Sequence, residues 1–262
     1  MSWYLLAFPF ILFIAIPLLA MFFRLSPYNF WQNLQRDQVL SAVRISLLTS
    51  LSTVCITLLF GTPVAYMLAQ PRNRFNRFID TLIDLPTVLP PAVAGVALLM
   101  AFGRSGIIGV WLTSLGISLP FTTPAVIMAQ TFIAAPLYIK AVTLGFNAVD
   151  CELRKAAALD GANRWQTFRY VMFPMARSSV LSGSVMTWAR SLGEFGATII
   201  FAGNFPGRTQ TMPLAIYLGF EIDMNVALTL SVILISFAFL TLILVKGFLH
   251  RKVETGLEEY YD

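Results

Sequence analysis

The sequence is poor in charge for its length of 262 residues, because only 12% of them are Asp, Glu, Lys or Arg. A typical soluble domain carries about 25% charged and about 45–50% apolar residues, whereas 57% of this chain is hydrophobic. This imbalance excludes an ordinary soluble domain. The aromatic content of 13% also excludes a disordered chain, since such chains are poor in aromatic residues. The composition therefore indicates a polytopic membrane protein.

Cysteine and histidine are also scarce. Cys55 lies in an apolar run and Cys151 in a polar segment, which does not suggest a disulfide framework. A single histidine, His250, argues against a multi-histidine metal site, so we expect no metal. The chain contains no G-x-x-x-x-G-K-S/T phosphate loop, no H-E-x-x-H and no G-x-S-x-G pattern. A membrane enzyme with its own ATP site or catalytic set is therefore disfavoured.

Six apolar runs are long enough to cross a bilayer, whose apolar core of about 30 Å needs about 20 helical residues. They cover approximately residues 3–23, 47–68, 78–102, 125–149, 180–201 and 226–245. A shorter run at 107–119 is broken by Gly116 and followed by Pro120, so we expect an interfacial or re-entrant piece there. The predicted fold class is all-α, with one transmembrane domain over residues 1–262 and six spanning helices.

Basic residues fall unequally on the two sides when the six runs alternate across the bilayer. One set of loops holds eleven Lys and Arg residues, and the other holds five. Because cytoplasmic loops are enriched in Lys and Arg, we place the richer set and both termini in the cytoplasm. The same bias accounts for the net charge of +5 without nucleic acid. The richer set is Arg72, Arg74, Arg77, Arg154, Lys155, Arg164, Arg169, Arg177, Lys246, Arg251 and Lys252, and the poorer set is Arg24, Arg36, Arg44, Arg104 and Arg208.

The polar segment 150–177, between the fourth and fifth runs, is too long and too regular for a simple turn. Asp150 can cap a first helix, and Gly161 stands where helices commonly end. Asn163 and Gln166 predict a capping box at the start of a second helix. We therefore predict a helical elbow at the membrane surface, although these signals alone leave a plain connector open.

The spacing within this elbow closely resembles the E-A-A, x3, G, x9, I-x-L-P signature of the membrane permeases of ABC importers. The matching positions are Lys155-Ala156-Ala157, Gly161 and Val171-Met172-Phe173-Pro174. The resemblance implies a coupling helix that docks on a separate ATPase subunit and carries its motion into the membrane. Trp165 and Phe168 are aromatic anchors of the kind enriched at protein interfaces. Lys155 departs from the pattern, because the family usually has glutamate there.

Prolines and charges interrupt the third and fifth runs. Pro86, Pro90 and Pro91 cannot all lie in an undistorted helix, and a break inside a membrane is tolerated only where the freed backbone groups meet water or protein. In the fifth run, Arg190 and Glu194 are four residues apart and can pair on one helix face. Such a pair either fixes helix packing or marks a water-filled route.

We expect these two runs to line a transport pathway. The candidate polar contacts are Thr87, Ser191 and Thr198, and the charged side chains of Arg190 and Lys140 are further candidates along an anion route. Residues 191–217, which include SLGEFG, AGN and PGRTQTMP, resemble the fifth span and outer loop of molybdate and tungstate permeases. Sulfate permeases share the first part, whereas PGRTQTMP and the third-run sequence LPTVLPPAVAG are more similar to the molybdate branch.

This resemblance implies the transmembrane subunit of an ATP-driven importer of molybdate or tungstate in the cell inner membrane. It also implies a symmetric homodimer with the pathway at its interface, two ATPase subunits that bind the ATP, and an external oxyanion-binding protein. No cofactor is expected in this chain. The alternative is a sulfate or thiosulfate permease. A secondary transporter or channel, with Arg190 and Glu194 as an ion-coupling pair, is disfavoured because it has no use for a docking elbow.

Overall fold

The computed structural model describes residues 2–70 and 73–258, which form helices and connecting turns and contain no β-strand. The all-α class is confirmed. Of the basic residues that orient the loops, Arg72 lies outside the described residues, as do the side chains of Lys246, Arg251 and Lys252.

In chain order the helices are α1 (Ser2–Arg24), α2 (Pro27–Leu34), α3 (Asp37–Leu68), α4 (Arg74–Val88), α5 (Pro91–Phe102), α6 (Gly109–Ser114), α7 (Thr123–Asn147), α8 (Cys151–Leu159), α9 (Arg164–Thr167), α10 (Phe173–Leu192), α11 (Gly196–Phe201), α12 (Met212–Ile222) and α13 (Met224–Glu258).

Four of the predicted spans are long apolar helices, namely α1, α3, α7 and α13. The 32 residues of α3 reach about 48 Å, so this helix extends well beyond a bilayer core of about 30 Å and begins before its apolar run. The pair α4 and α5 provides a fifth candidate span. Helix α10 has 20 residues, but its hydropathy is too low for it to qualify as a candidate span. The count of six spans therefore stays a prediction.

The third predicted span is a bent pair of helices, with α4 and α5 inclined at 118°. Pro91 occupies the first position of α5, where a missing N–H costs nothing. Leu89 is extended, with φ −67° and ψ 137°, because the residue before a proline is pushed out of helical geometry. Pro86, by contrast, lies inside α4 without ending it. The predicted break is confirmed, and it is located at residues 89–90.

The fifth predicted span is also interrupted, because α10 ends at Leu192 and α11 begins only at Gly196.

At its N-terminal end, α10 is connected to α9 through a π-helical turn, Phe168–Met172. Pro174 lacks an N–H, and its ring crowds the preceding turn of the helix. These two effects account for the wider, π-helical turn at this point. The second helix of the elbow is thus continuous with α10, and together they extend over residues 164–192, about 43 Å.

Helix α7 is the centre of the packing and contacts α3, α4, α5, α10 and α11. Towards its C-terminal end, the buried side chains of Tyr138 and Phe146 pack with α3 and with Met172. Towards its N-terminal end, small residues such as Ala125 and Ala129 pack against α5 and α11. The Tyr138 and Thr62 hydroxyls share a hydrogen bond of 2.6 Å in this core. Helix α1, by contrast, packs mainly on α13 and buries none of its apolar stretch.

Two helices, α2 and α12, lie where the sequence predicts neither a span nor a shorter helical segment. Helix α12 is apolar but has only 11 residues, too few to cross a bilayer, so a search for spans does not find it. Its end is fastened to the start of α3 by an ion pair of 2.5 Å between Arg36 and Asp223. The hydrogen bond from the Arg36 guanidinium lowers the pKa of the Asp223 carboxyl below its ordinary value. This bridge helps to hold the region between α11 and α13 in place.

Candidate functional site

The two helical breaks lie side by side, because α5 packs directly on α11. Glycine permits this approach: a Cβ at Gly95 would lie 2.8 Å from the Cβ of Ile200 and 2.9 Å from the carbonyl oxygen of Ala197. A Cβ at Gly196 would lie 2.8 Å from the Cβ of Pro91. The structure therefore joins the third and fifth predicted spans at their discontinuities. In transporters, interrupted helices of this kind form sites near the centre of the membrane.

Glu194 fastens the break in the fifth span. Its side chain is 1% exposed, and its Oε1 accepts a hydrogen bond from the backbone N–H of Ala197 at 2.9 Å. Its Oε2 accepts one from Nη1 of Arg190 at 2.8 Å. The carboxylate thus satisfies an N–H at the start of α11, while the guanidinium lies in the last turn of α10, and both charges complement their helix ends. The predicted ion pair is confirmed, but Glu194 lies in the break after α10, so the two residues do not share one helix.

The other predicted pathway residues differ in exposure. Thr87 is exposed, and its hydroxyl donates to the backbone oxygen of Asp84 at 2.6 Å. Ser191 and Thr198 are fully buried within the subunit. The Ser191 hydroxyl donates to the carbonyl oxygen of Trp188, whereas the Thr198 hydroxyl has no hydrogen-bond partner among the described residues. Among the three prolines, Pro86 is buried, while Pro90 and Pro91 are exposed at the bend. The predicted set is therefore not gathered in one cavity.

A charge cluster that sequence reasoning did not assemble connects α7 to α4. Nζ of Lys140 donates to Oδ1 of Asp80 at 2.5 Å and to Oδ2 of Asp84 at 2.9 Å. A signal was present, because two carboxylates four residues apart share one face of a helix. Within the described part of the chain, no three His, Cys, Asp or Glu side chains are grouped as metal ligands would be. The cluster fastens α4, the first helix of the bent pair, to the central helix α7.

The elbow has the predicted local structure. The Asp150 carboxylate accepts a hydrogen bond from the Glu152 backbone N–H at 2.9 Å at the start of α8. Gly161 reverses the chain with φ +84°, in the left-handed region that favours glycine. Asn163 and Gln166 form the reciprocal capping box, with hydrogen bonds of 2.8 and 2.9 Å. These contacts fix the shape of the elbow without burying any residue of α8.

The elbow presents side chains that the subunit itself does not cover. Trp165 is 67% exposed, and with Arg164 it lines a groove of about 280 Å³ beside Pro63 and Tyr66. Phe168 is half-buried and belongs partly to the core, where its ring contacts those of Tyr66 and Phe146. Sequence reasoning treated both aromatic residues as free anchors. Only Trp165 has that exposure.

The signature residues of the elbow are also accessible. Lys155 forms an exposed ion pair of 2.8 Å with Glu152, an interaction that contributes about 0–1 kcal/mol to stability. Ala156 and Gly161 are exposed, and Ala157 is half-buried. Pro174 is exposed at the start of α10, beyond the π-helical turn. The elbow is therefore a solvent-accessible surface that is continuous with a long helix.

This architecture matches that of known transport proteins, and residues 61–258 match the family described as binding-protein-dependent transport system inner membrane component. The chain belongs to this family. As a member it is a transport component of the inner membrane, crossing the bilayer more than once, and not an enzyme. The fold is similar to a subunit in the crystal structure of a bacterial alginate ABC transporter in complex with alginate pentasaccharide-bound periplasmic protein. The TM-score is 0.69 at 19% identity, covering 95% of this chain and 93% of that one.

Among relatives in sequence, the molybdenum transport system permease protein ModB of Mycobacterium tuberculosis is 40% identical over 233 residues. The match covers 89% of this chain and 88% of that protein. The sulfate transport system permease protein CysW of Synechococcus elongatus is 32% identical over 217 residues, covering 82% of this chain and 76% of that protein. The family member described here is thus more similar to the molybdenum permease than to the sulfate permease.

Removal of the Glu194 carboxylate should destabilise the subunit strongly. Loss of one partner from a buried ion pair costs about 3–5 kcal/mol, and water around the 35% exposed Arg190 reduces the cost to about 2–4 kcal/mol for Glu194→Ala. Glu194→Gln should cost less, because its amide oxygen can still accept from Ala197. The free energy of unfolding in detergent measures the effect. Glu152→Ala, which breaks an exposed ion pair, is the matched control. Equal losses of unfolding free energy in the two alanine variants would contradict the role of Glu194 in stabilising the break.

Thiol labelling should separate the three polar candidates in a background with the exposed Cys55 and Cys151 replaced by serine. Thr87→Cys should react quickly with a membrane-impermeant reagent, whereas Ser191→Cys and Thr198→Cys should be protected by burial. If the buried positions line the pathway, their labelling rises in one nucleotide state of the assembled transporter. Protection of both in every state would contradict their pathway role.

Proposed function

We propose that this chain is the transmembrane subunit of an ATP-driven importer and forms the pathway for molybdate or tungstate. The observation that carries the proposal is the exposed, capped elbow continuous with α10, because it is a docking surface connected to the interrupted span. The 40% identity to a molybdenum permease supports the substrate class. Sulfate or thiosulfate is the weaker alternative, because the sulfate relative is 32% identical.

The proposed transporter contains two copies of this chain, two ATPase subunits that bind ATP, and an external oxyanion-binding protein. The elbow, both termini and the basic loops face the cytoplasm, as the distribution of Lys and Arg favours. Each elbow docks on one ATPase through the open face of α8 and the exposed ring of Trp165. Aromatic side chains with this exposure are typical anchors of protein interfaces.

The continuous helix gives a physical route for coupling. Displacement of the elbow moves the π-helical turn and α10 as one piece, since the helical run from 164 to 192 contains no flexible loop. The far end of α10 holds Arg190, which is bonded to Glu194 at the break. From there the contact between α11 and α5 transfers the motion to the bent pair. An ATPase could thus alter the break without touching it.

A dianion crossing the membrane needs hydrogen-bond donors along its route but must not be held tightly, because transport requires release. Arg190 is already engaged by Glu194, so it is not a free binding charge. Lys140 is engaged by Asp80 and Asp84 in the same way. We therefore assign the contacts with the anion to hydroxyl and backbone groups, including the buried Thr198 hydroxyl, which has no hydrogen-bond partner in the described part of the chain.

Reconstitution with an ATPase and an oxyanion-binding protein tests this function. ATP hydrolysis should be stimulated by the binding protein loaded with molybdate or tungstate, and less by the sulfate-loaded form. Stimulation by sulfate alone would move the assignment to the sulfate branch. Uptake that needs no ATPase would favour a secondary transporter or channel and reject the importer.

Substitution of Gly161 should uncouple the complex. A β-branched residue cannot easily adopt φ +84°, so Gly161→Val should distort the elbow even though its surroundings are open. We expect molybdate-stimulated ATP hydrolysis to fall about 5- to 30-fold, which corresponds to the roughly 1–2 kcal/mol cost of a left-handed residue. Gly116→Val is the matched control, because Gly116 also has positive φ and open surroundings but lies far from the elbow in sequence. Normal coupling in Gly161→Val would contradict the docking role.

A further inference from the structure

A cleft of about 560 Å³ lies between the first part of α3, the start of α7 and the loop that precedes α12. Two arginines, Arg44 on α3 and Arg208 on the loop, are among the residues that line it, together with the hydroxyl-bearing residues Ser41 and Thr123. Asp37 also lines the cleft. Within the described part of the chain, Asp37 forms no ion pair with either arginine.

The loop that carries Arg208 is firmly held. The carbonyl oxygen of Phe205 accepts hydrogen bonds from the N–H groups of Arg208, Thr209 and Gln210. The buried hydroxyl of Thr209 accepts one from the N–H of Phe205, and the Thr123 hydroxyl donates to the carbonyl oxygen of Arg208 at 2.9 Å. These hydrogen bonds fix the backbone of the loop beside the start of α7, so Arg208 is held in the cleft that Arg44 also lines.

The position of the cleft follows from the directions of the helices. The C-terminal ends of α3 and α7 pack with Met172, next to the elbow, as part of one core cluster. The cleft is lined by residues from the opposite ends of both helices. It therefore lies at the far end of the subunit from the elbow, beside the loop that continues from α11.

We propose that this cleft binds a tetrahedral oxyanion between Arg44 and Arg208. Two cationic groups that share a cleft repel each other, and a dianion between them removes this repulsion. The guanidinium fork matches the spacing of oxygens on a tetrahedral anion and can donate two parallel hydrogen bonds to it. Under the proposed function, on which this assignment of the ligand rests, the cleft faces the side from which the anion arrives.

The phosphate of a lipid head group offers the same chemistry, since the exposed side chains of Leu40 and Leu48 border the cleft. The experiment therefore has two arms, both on the complete transporter purified in detergent without its binding protein. The first arm measures tungstate binding by equilibrium dialysis. The second arm measures retention of added phosphatidylglycerol by native mass spectrometry. Each arm compares the wild type with Arg44→Gln, Arg208→Gln and the control Arg104→Gln, which removes a basic side chain outside the cleft.

Loss of a charge-assisted hydrogen bond weakens binding by about tenfold or more. We expect Arg44→Gln and Arg208→Gln each to lower tungstate affinity by at least this factor, Arg44→Lys to recover part of it, and Arg104→Gln to match the wild type. Loss of retained lipid in both cleft variants without any tungstate effect would support the site and assign it to lipid phosphate. Both cleft variants matching Arg104→Gln in both arms would overturn the proposal.

ATP hydrolysis separates this inference from the proposed function. If the molybdate-loaded binding protein stimulates the wild type, and the cleft variants bind tungstate and retain lipid as the wild type does, the cleft assignment alone is wrong. If no loaded binding protein stimulates the wild type but tungstate binding depends on Arg44 and Arg208, the importer function alone is wrong. Unchanged thermal transitions of the glutamine variants would show that they are folded.

Discussion

A helix that is interrupted inside a membrane must satisfy the backbone groups released at the break, either with protein groups or with water in a cavity. In this protein the carboxylate of Glu194 meets that requirement at the fifth span by accepting a hydrogen bond from the start of α11. The same carboxylate holds Arg190 at the end of α10. A single side chain therefore makes the discontinuity tolerable and ties together the two helices on either side of it.

The third span meets the same requirement in another way. Pro91 begins α5, so one backbone donor is absent and needs no partner. The approach between α5 and α11 then depends on Gly95 and Gly196, where any side chain would collide with the neighbouring helix. Lys140 and its two aspartates fasten α4, the other helix of the bent pair, to α7. The two breaks are thus fixed by local chemistry on both sides and share one contact surface.

Much of this arrangement can be predicted from the sequence. Apolar length identifies α1, α3, α7 and α13, because a bilayer imposes a minimum span. The caps at Asp150 and Asn163 are local, so their pattern survives folding unchanged. Helix α12 is missed because it is too short to span, and the ends of α10 are missed because hydropathy does not detect where a helix stops. Local patterns carry no information on the packing of α5 against α11.

Burial was the least predictable property of the candidate site. Ser191, Thr198 and Thr87 are all small and polar, yet two of them are enclosed and the third is exposed. Exposure depends on which neighbour covers each helix face, and that neighbour is distant in sequence. Phe168 shows the same effect, since its ring inserts beside Tyr66 and Phe146 while that of Trp165 remains outside.

The π-helical turn at Phe168–Met172 sets the direction in which the elbow faces. A turn of this kind contains about one residue more than an α-helical turn, and each residue of a helix advances the side chains by about 100° around the axis. The side chains of α10 are therefore rotated about the helix axis by about 100°, relative to α9, from the positions that an uninterrupted α-helix would give them. The direction in which Trp165 points around the helix axis, relative to Arg190, depends on this one insertion. The π-helical turn therefore sets the angle between the exposed face of the elbow and the break in the fifth span.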